Sequence, residues 1–279
     1  MSTTIAPVNP MAAEGKATVM TVMRRDRDNF TRLVSEPKYW NVMTRCTGWE
    51  VRDLVGHMID VMEGYFKNWE AAKAGKDGSA LGLTVMGETL NDHALDFRKL
   101  SREEALDRFK KDAMKLDGLL EELTPEQWTG WMVYHPFAGP VPAGFYGTFQ
   151  IMDYGVHPYD IEYGLGDKLA TIGEDTAGLI LPYAFVFWQY TVDAKNAAGL
   201  DFTYGIDVGG PWGGKWRATV KDGTWSHVAE SDNFKGCDAL FKFENAGEAV
   251  LSFFQRYPGG SASGDPDVIE AVRHLHFRF

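Results

Sequence analysis

The sequence predicts an α+β protein in which an up-and-down four-helix bundle precedes a smaller α+β domain. Apolar residues recur every three or four positions over about the first 200 residues, which is typical of amphipathic helices. Beyond that point the period changes to two, which is typical of strands. A chain of 279 residues is also long enough for two cores. We therefore expect a flexible N-terminus over residues 1–14, a helical domain over 15–199 and an α+β domain over 200–279.

The first two helices are predicted from apolar spacing and from one cap. Residues 12–33 place their apolar side chains on one broad face. A second helix is expected to begin at Thr47, where TGWE fits a capping box closed by Glu50, and to end near Gly75. Both helices carry an apolar face that needs a partner, so they are predicted to pack in a bundle.

The middle of the chain is predicted to contain further helices and one irregular segment. Residues 88–100 and, after a cap at Ser101, residues 103–122 have the helical period and a charged outer face. Residues 124–144 mix prolines and glycines with aromatic side chains, and they predict an aromatic loop. Helices are predicted again over 145–165 and 174–198.

The last eighty or so residues are predicted to form the α+β domain. Apolar residues alternate over 202–208 and 216–220, with the turn-forming segments PWGG and KDG nearby. DALFKFE predicts one more strand, whereas NAGEAVLSFFQRY and DPDVIEAVRHL predict two helices.

Composition limits the expected partners. Acidic residues outnumber basic ones by 39 to 28, and the net charge of −11 disfavours contact with nucleic acid or with anionic membranes. Cys46 and Cys237 supply no disulfide framework, and the longest apolar stretch, broken by Pro182, is too short to cross a bilayer. We expect a soluble cytoplasmic monomer or homodimer with small-molecule partners, without nucleic-acid or membrane partners.

Three residues on two of the predicted helices could hold a metal ion. Asp153 and His157 are four residues apart, so both side chains lie on one helical face, while His57 lies beside the apolar stripe of an earlier helix. Bundles assemble metal sites in this way. Two nitrogens, one oxygen and an open position suit catalytic zinc, and nickel, iron or manganese remain possible. Spacing alone favours a simpler interpretation, with a core histidine and an ordinary helical Asp–His pair.

Two segments resemble a known family. TRCTGWEVRDLVGH is similar to the signature of the mycothiol-dependent maleylpyruvate isomerase family, a DinB-like metalloprotein group, and His57 occupies the position of its first metal ligand. DYGVHPYDI resembles the second signature, in which Asp153 and His157 fill the other ligand positions and Asp160 matches a following aspartate. The family's isomerase has glutamate where this chain has Asp153, and Pro158 follows the second histidine directly.

The resemblance extends to GPVPAG and to the tail with GDPDVIEAV, and so covers nearly the whole chain. It implies a DinB-like bundle followed by a sterol-carrier-like α+β domain. It also implies a metal-dependent isomerase or S-transferase that uses mycothiol or another small thiol on an electrophilic substrate. Two alternatives stay open: a hydrolase, lyase or cyclase with metal-activated water, and a non-enzymatic binding protein.

Further candidates lie near the proposed ligands. Asp60 and Asp160 are each one helical turn from a ligand histidine and could orient its second nitrogen or accept a proton, although a solvated carboxylate is an equal alternative. Glu63 could be a general base or a solvated surface residue. Cys46 fits a buried structural cysteine better than a reactive one. His135 could contact substrate or cap the aromatic loop.

Overall fold

The protein divides into two compact units. The computed structural model describes residues 5–80, 82–168 and 170–276, so the first four residues of the predicted flexible N-terminus lie outside the described residues. One unit is Val8–Thr171, and the main part of the other begins at Ile172. Among the described helices, none combines the length and the apolar character needed to span a bilayer.

The first unit contains the predicted DinB-like helical bundle. Helices α1, α2, α4 and α6 form the bundle, in which α1 packs against α6 and α2 packs against α4. Shorter elements connect them. The bounds are α1 Lys16–Ser35, α2 Val51–Lys73, α3 Leu83–Asp96, α4 Arg102–Glu121, α5 Pro125–Gly130, β1 Met132–His135, β2 Gly139–Pro142 and α6 Phe145–Gly164.

The start of α2 differs from its prediction. The helix begins at Val51, and the backbone amide of Glu50 donates to Asp53 Oδ2 at 2.8 Å, so the predicted cap at Thr47 is wrong. Gly48 has φ of 82° and turns the chain before the helix, which leaves Thr47 exposed. By contrast, the predicted cap of α4 is confirmed, because Ser101 Oγ accepts from the Glu104 amide at 3.2 Å.

The segment predicted as an aromatic loop is ordered secondary structure. It contains α5 and the antiparallel hairpin β1–β2, in which Val133 pairs with Val141. The prolines of β2 are tolerated because this strand pairs with β1 alone and needs no amide donors on its other edge. Trp128 of α5 is buried, and its Nε1 donates to the Pro10 carbonyl at 3.3 Å. Part of the predicted flexible N-terminus is therefore packed on the bundle.

The second unit is the α+β domain. Its sheet has the order β5-β4-β3-β6-β7, in which β3 pairs in parallel with β6 and the other pairs are antiparallel. Strand β7 consists of small residues and escaped the sequence prediction. The bounds are α7 Glu174–Thr191, β3 Asp201–Val208, β4 Gly214–Lys221, β5 Thr224–Ala229, β6 Ala239–Phe243, α8 Ala246–Phe253, β7 Ser261–Gly264 and α9 Pro266–His274.

Helix α7 packs within this second unit, against α8 and β5. The observed division after Thr171 therefore differs from the predicted division after residue 199 by this one helix. The apolar pattern of α7 shows that the helix is buried, but it does not show which neighbours bury it.

Candidate metal centre

Helices α2 and α6 bring the three predicted ligands together. His57 Nε2 lies 3.7 Å from Asp153 Oδ1, and His157 Nε2 lies 3.9 Å from the same oxygen. Ligand atoms of all three residues lie within 4.8 Å of one another, and the three residues are buried. Their convergence follows from the four-residue spacing of Asp153 and His157 on α6 and from the position of His57 on the inner face of α2.

The spacing of these atoms fits a divalent metal. Zinc ligands at roughly 2.0–2.2 Å in a tetrahedral arrangement lie about 3.3–3.6 Å from one another. The distances from the Asp153 oxygen to the two histidine nitrogens are slightly longer, so a small contraction would complete the site. Two imidazoles and one carboxylate match the donor set of catalytic zinc, with a fourth position left for another ligand.

Asp160 holds the ring of His157. Its Oδ2 lies 2.9 Å from His157 Nδ1, and the carboxylate is fully buried. A carboxylate at Nδ1 keeps the proton on that nitrogen, and the lone pair of Nε2 then faces Asp153 and His57. This arrangement is the usual support of a metal-binding histidine.

Cys46 reaches the same carboxylate. Its Sγ donates to Asp160 Oδ2 at 3.2 Å. Cys46, His157 and Asp160 therefore form a second close group of metal-ligating types. The two contacts to Asp160 have hydrogen-bond lengths, so this group is better explained as support for the His157 ring than as another metal site.

The His57 ring is fixed by packing rather than by a carboxylate. It contacts the ring of Trp49 at 5.3 Å and meets the ring of His157 edge-on at 5.2 Å. Nδ1 of His57 is buried and has no hydrogen-bond partner within the described part of the chain. The two candidate ligand histidines thus have different surroundings, and Asp160 contacts only His157.

The structure does not bring Asp60 into this group. Asp60 Oδ2 lies 3.3 Å from Nδ1 of His93, and the His93 side chain is half exposed. Glu63 is also paired away from the candidate metal centre, because its carboxylate accepts a hydrogen bond from Arg108 Nε at 2.7 Å near the surface. Of Asp60, Glu63 and Asp160, Asp160 alone contacts a candidate ligand histidine among the described hydrogen bonds and ion pairs.

Sequence reasoning missed two polar residues of the bundle interior, Tyr65 and Gln150. Gln150 precedes Asp153 by one turn of α6 and is fully buried. Burial first, and then the charge of Asp153, raise the pKa of the Tyr65 hydroxyl well above its usual value. Gln150 lies on the same helical face as Asp153 and His157, three residues before Asp153. The residue spacing on α6 could therefore have identified Gln150 as a neighbour of the proposed ligands.

The fold and this residue group define a class of protein. It is a helical bundle in which two histidines and one carboxylate converge from two helices, which is how metal sites in bundles are assembled. The family described as the mycothiol maleylpyruvate isomerase N-terminal domain matches residues 23–162, about half of the chain. This chain belongs to that family.

Solved structures support the fold over both units. The crystal structure of the mycothiol-dependent maleylpyruvate isomerase aligns with a TM-score of 0.60 and 15% identity, covering 95% of this chain and 97% of that chain. The structure of a single-residue mutant of that enzyme gives the same TM-score and coverage at 16% identity. At such identities the likeness shows the fold alone. No curated protein matches the sequence significantly.

Proposed function

We propose that this protein is a divalent-metal-dependent enzyme that uses a small thiol to act on an electrophilic substrate. The observation that carries the proposal is the convergence of His57, Asp153 and His157, with Asp160 fixing the second histidine. Membership of the family supports the reaction class, since a protein of similar fold is a mycothiol-dependent maleylpyruvate isomerase. Mycothiol or a related thiol is the proposed cosubstrate.

His57, Asp153 and His157 would hold the metal, for which we propose zinc because of its preference for imidazole and carboxylate in a four-coordinate site. A bound divalent metal with an open position lowers the pKa of a thiol and polarises a carbonyl oxygen. Asp160 acts through His157 as a positioning residue and keeps the tautomer that presents Nε2. The buried surroundings exclude bulk water, which would otherwise compete with the thiol.

The proposed reaction is reversible addition of the thiol to a carbon–carbon double bond. The thiolate sulfur bonds to one carbon, and the electron pair of the double bond moves onto the conjugated carbonyl group. The remaining single bond rotates, and the sulfur then leaves with its electron pair while the double bond re-forms. The thiol is regenerated in this isomerisation. If the adduct gains a proton and is released, the same first step makes an S-transferase.

Cobalt substitution tests the thiol step directly. Cys46→Ser and Cys237→Ser remove protein sulfur other than methionine thioethers, and serine at position 46 keeps a donor for Asp160. Adding mycothiol to this cobalt protein should produce a near-ultraviolet charge-transfer band, and His57→Ala should not show it. Absence of the band with mycothiol and with simpler thiols would make metal-activated water the leading mechanism.

A further inference from the structure

Three buried polar side chains near the candidate metal centre have hydrogen-bonding capacity that the described residues leave unused. They are Tyr65 of α2, His135 of β1 and Gln150 of α6, each at most 2% exposed. Nε2 of His135 and Oε1 of Gln150 are buried and have no hydrogen-bond partner among the described residues. Each such atom costs about 1–3 kcal/mol when it stays unpaired, so two of them in one region of the bundle point to an absent partner.

Tyr65 is in ring contact with His135, and Gln150 is placed near them by its position on α6. The Tyr65 ring lies 5.4 Å from the His135 ring and 4.7 Å from the Tyr146 ring, measured between centroids. Gln150 lies between Tyr146 and Asp153 on α6, one turn from each and on the same face. The charge of Asp153 also acts on the Tyr65 hydroxyl. We call Tyr65, His135 and Gln150 the inner polar group.

The inner polar group offers donors and an acceptor without a charge. The Phe137 amide donates to His135 Nδ1 at 3.5 Å, and burial lowers the pKa of His135 to about 3, so the neutral ring carries its proton on Nε2. Gln150 Nε2 faces the thioether of Met58 at 3.5 Å. Because a thioether only accepts, this assignment leaves Gln150 Oε1 as an unused acceptor. The Tyr65 hydroxyl can donate and accept.

We propose that the inner polar group binds an uncharged hydroxyl or carboxamide of the substrate. Such a group can accept from His135 and donate to Gln150, which satisfies both unpaired atoms together. A carboxylate fits poorly, because Gln150 Oε1 would repel it and no lysine or arginine is among the buried side chains described. The inference rests on the proposed function for the reaction itself, and it adds the substrate class: a small electrophile with a neutral polar end.

Fragment binding to the zinc-loaded full-length protein tests this inference without thiol or turnover. Ligand binding is followed in protein with ¹⁵N-labelled histidines, through the Nε2 resonance of His135. This resonance is assigned by its absence from the spectrum of His135→Phe. The ligands are propionamide, 1-propanol and propionate, which have similar size and differ in charge. Affinities are taken from the shift of the His135 resonance. Propionate can also bind the zinc ion itself, and a readout at His135 excludes that binding. We expect the amide and the alcohol to shift the His135 resonance with affinities at least about tenfold above that of propionate.

Matched variants separate recognition from general packing. Tyr65→Phe and Gln150→Met should each weaken propionamide binding by about three- to tenfold, as expected for one lost hydrogen bond. Thr148→Val is the control, since Thr148 Oγ1 is also buried and unpaired on α6, but it lies two residues from Gln150 and points to the opposite side of the helix. This control should bind propionamide as wild type does.

Three results would overturn the inference. Propionate could shift the His135 resonance as strongly as propionamide, Gln150→Met could retain full affinity, or none of the ligands could shift the resonance. The last result would show that buried water alone satisfies these groups. All three are independent of the cobalt and thiol experiment, so failure of the thiol-dependent reaction leaves this result interpretable.

Discussion

Asp160 Oδ2 and His157 Nδ1 lie 2.9 Å apart on the same helix, and the carboxylate is fully shielded from solvent. The contact spans three residues of α6 and crosses Pro158, which has no amide to donate within the helix. Asp160 Oδ2 is occupied by this hydrogen bond, so Asp160 acts on the candidate metal centre through His157 and not as a ligand. The contact is therefore a sensitive place to test the proposed site.

Asp160→Asn should weaken metal binding by about 10–100-fold while the protein stays folded. The amide keeps the shape of the carboxylate but loses its charge, so it supports His157 less well. Competition with a chelator measures the affinity, and circular dichroism monitors the fold. Asp60→Asn is the matched control on α2, because Asp60 pairs with the half-exposed His93, and it should bind metal as wild type does. Equal losses in both variants would argue for a general charge effect.

His57→Ala should abolish stoichiometric metal binding, and Asp153→Asn should reduce affinity by more than Asp160→Asn does. Each change removes a proposed ligand or its charge, whereas Asp160 acts only through His157. Elemental analysis of purified protein gives the metal content. His93→Ala removes an exposed histidine and serves as the control. Metal content in His57→Ala equal to that of wild type would exclude the proposed site.

Asp53→Ala should destabilise the first unit by about 2–4 kcal/mol, whereas Thr47→Ala should change its stability by less than about 0.5 kcal/mol. Asp53 is fully buried and accepts from Arg98 at 2.7 and 2.6 Å, in addition to capping α2. Thr47 is exposed and caps nothing. Urea unfolding measures both values. If Thr47→Ala lowered the free energy of unfolding more than Asp53→Ala does, Thr47 would be the cap of α2, as the sequence predicted.

Acid should destabilise the first unit partly through His135. Burial lowers its folded pKa to about 3, below the value of about 6.5 expected in the unfolded chain. The unfolded state therefore binds the extra proton, and stability falls as the pH drops from about 6.5 toward 3, by about 1.4 kcal/mol per pH unit. His135→Phe should flatten this dependence. Urea unfolding at pH 7 and at pH 4.5 measures it, and an unchanged slope would contradict the prediction.

A fragment ending at Thr171 should unfold cooperatively, whereas one ending at Gly199 should also expose an apolar helix. The reason is that α7 packs against α8 and β5, which both fragments lack. Thermal circular dichroism and binding of a hydrophobic dye compare the two. If the longer fragment is the more stable and binds no more dye, α7 belongs with the bundle, as the sequence alone suggested.

The sequence was sufficient for features that depend on local spacing. Asp153 and His157 share a face because they are four residues apart, and Ser101 caps α4 through a nearby amide. Features that depend on distant partners were less accessible. The position of His57 beside the apolar stripe made it a candidate, but its distance to Asp153 depends on how α2 packs on α6, and Asp60 contacts His93 of α3 instead of His57. The sequence did not predict hairpin β1–β2, because its prolines and glycines indicate a loop when the pairing of the two strands is not known.

The order of the ligands along the chain has a consequence for biosynthesis. His57 leaves the ribosome about a hundred residues before Asp153 and His157, at roughly 5–20 residues per second. A lone histidine cannot hold a metal ion firmly, so the proposed site can bind a metal only once α6 has been made. The three ligands and the inner polar group all belong to the unit that ends at Thr171. A nascent chain can thus complete the unit that contains all the proposed ligands while the rest of the chain is still being translated.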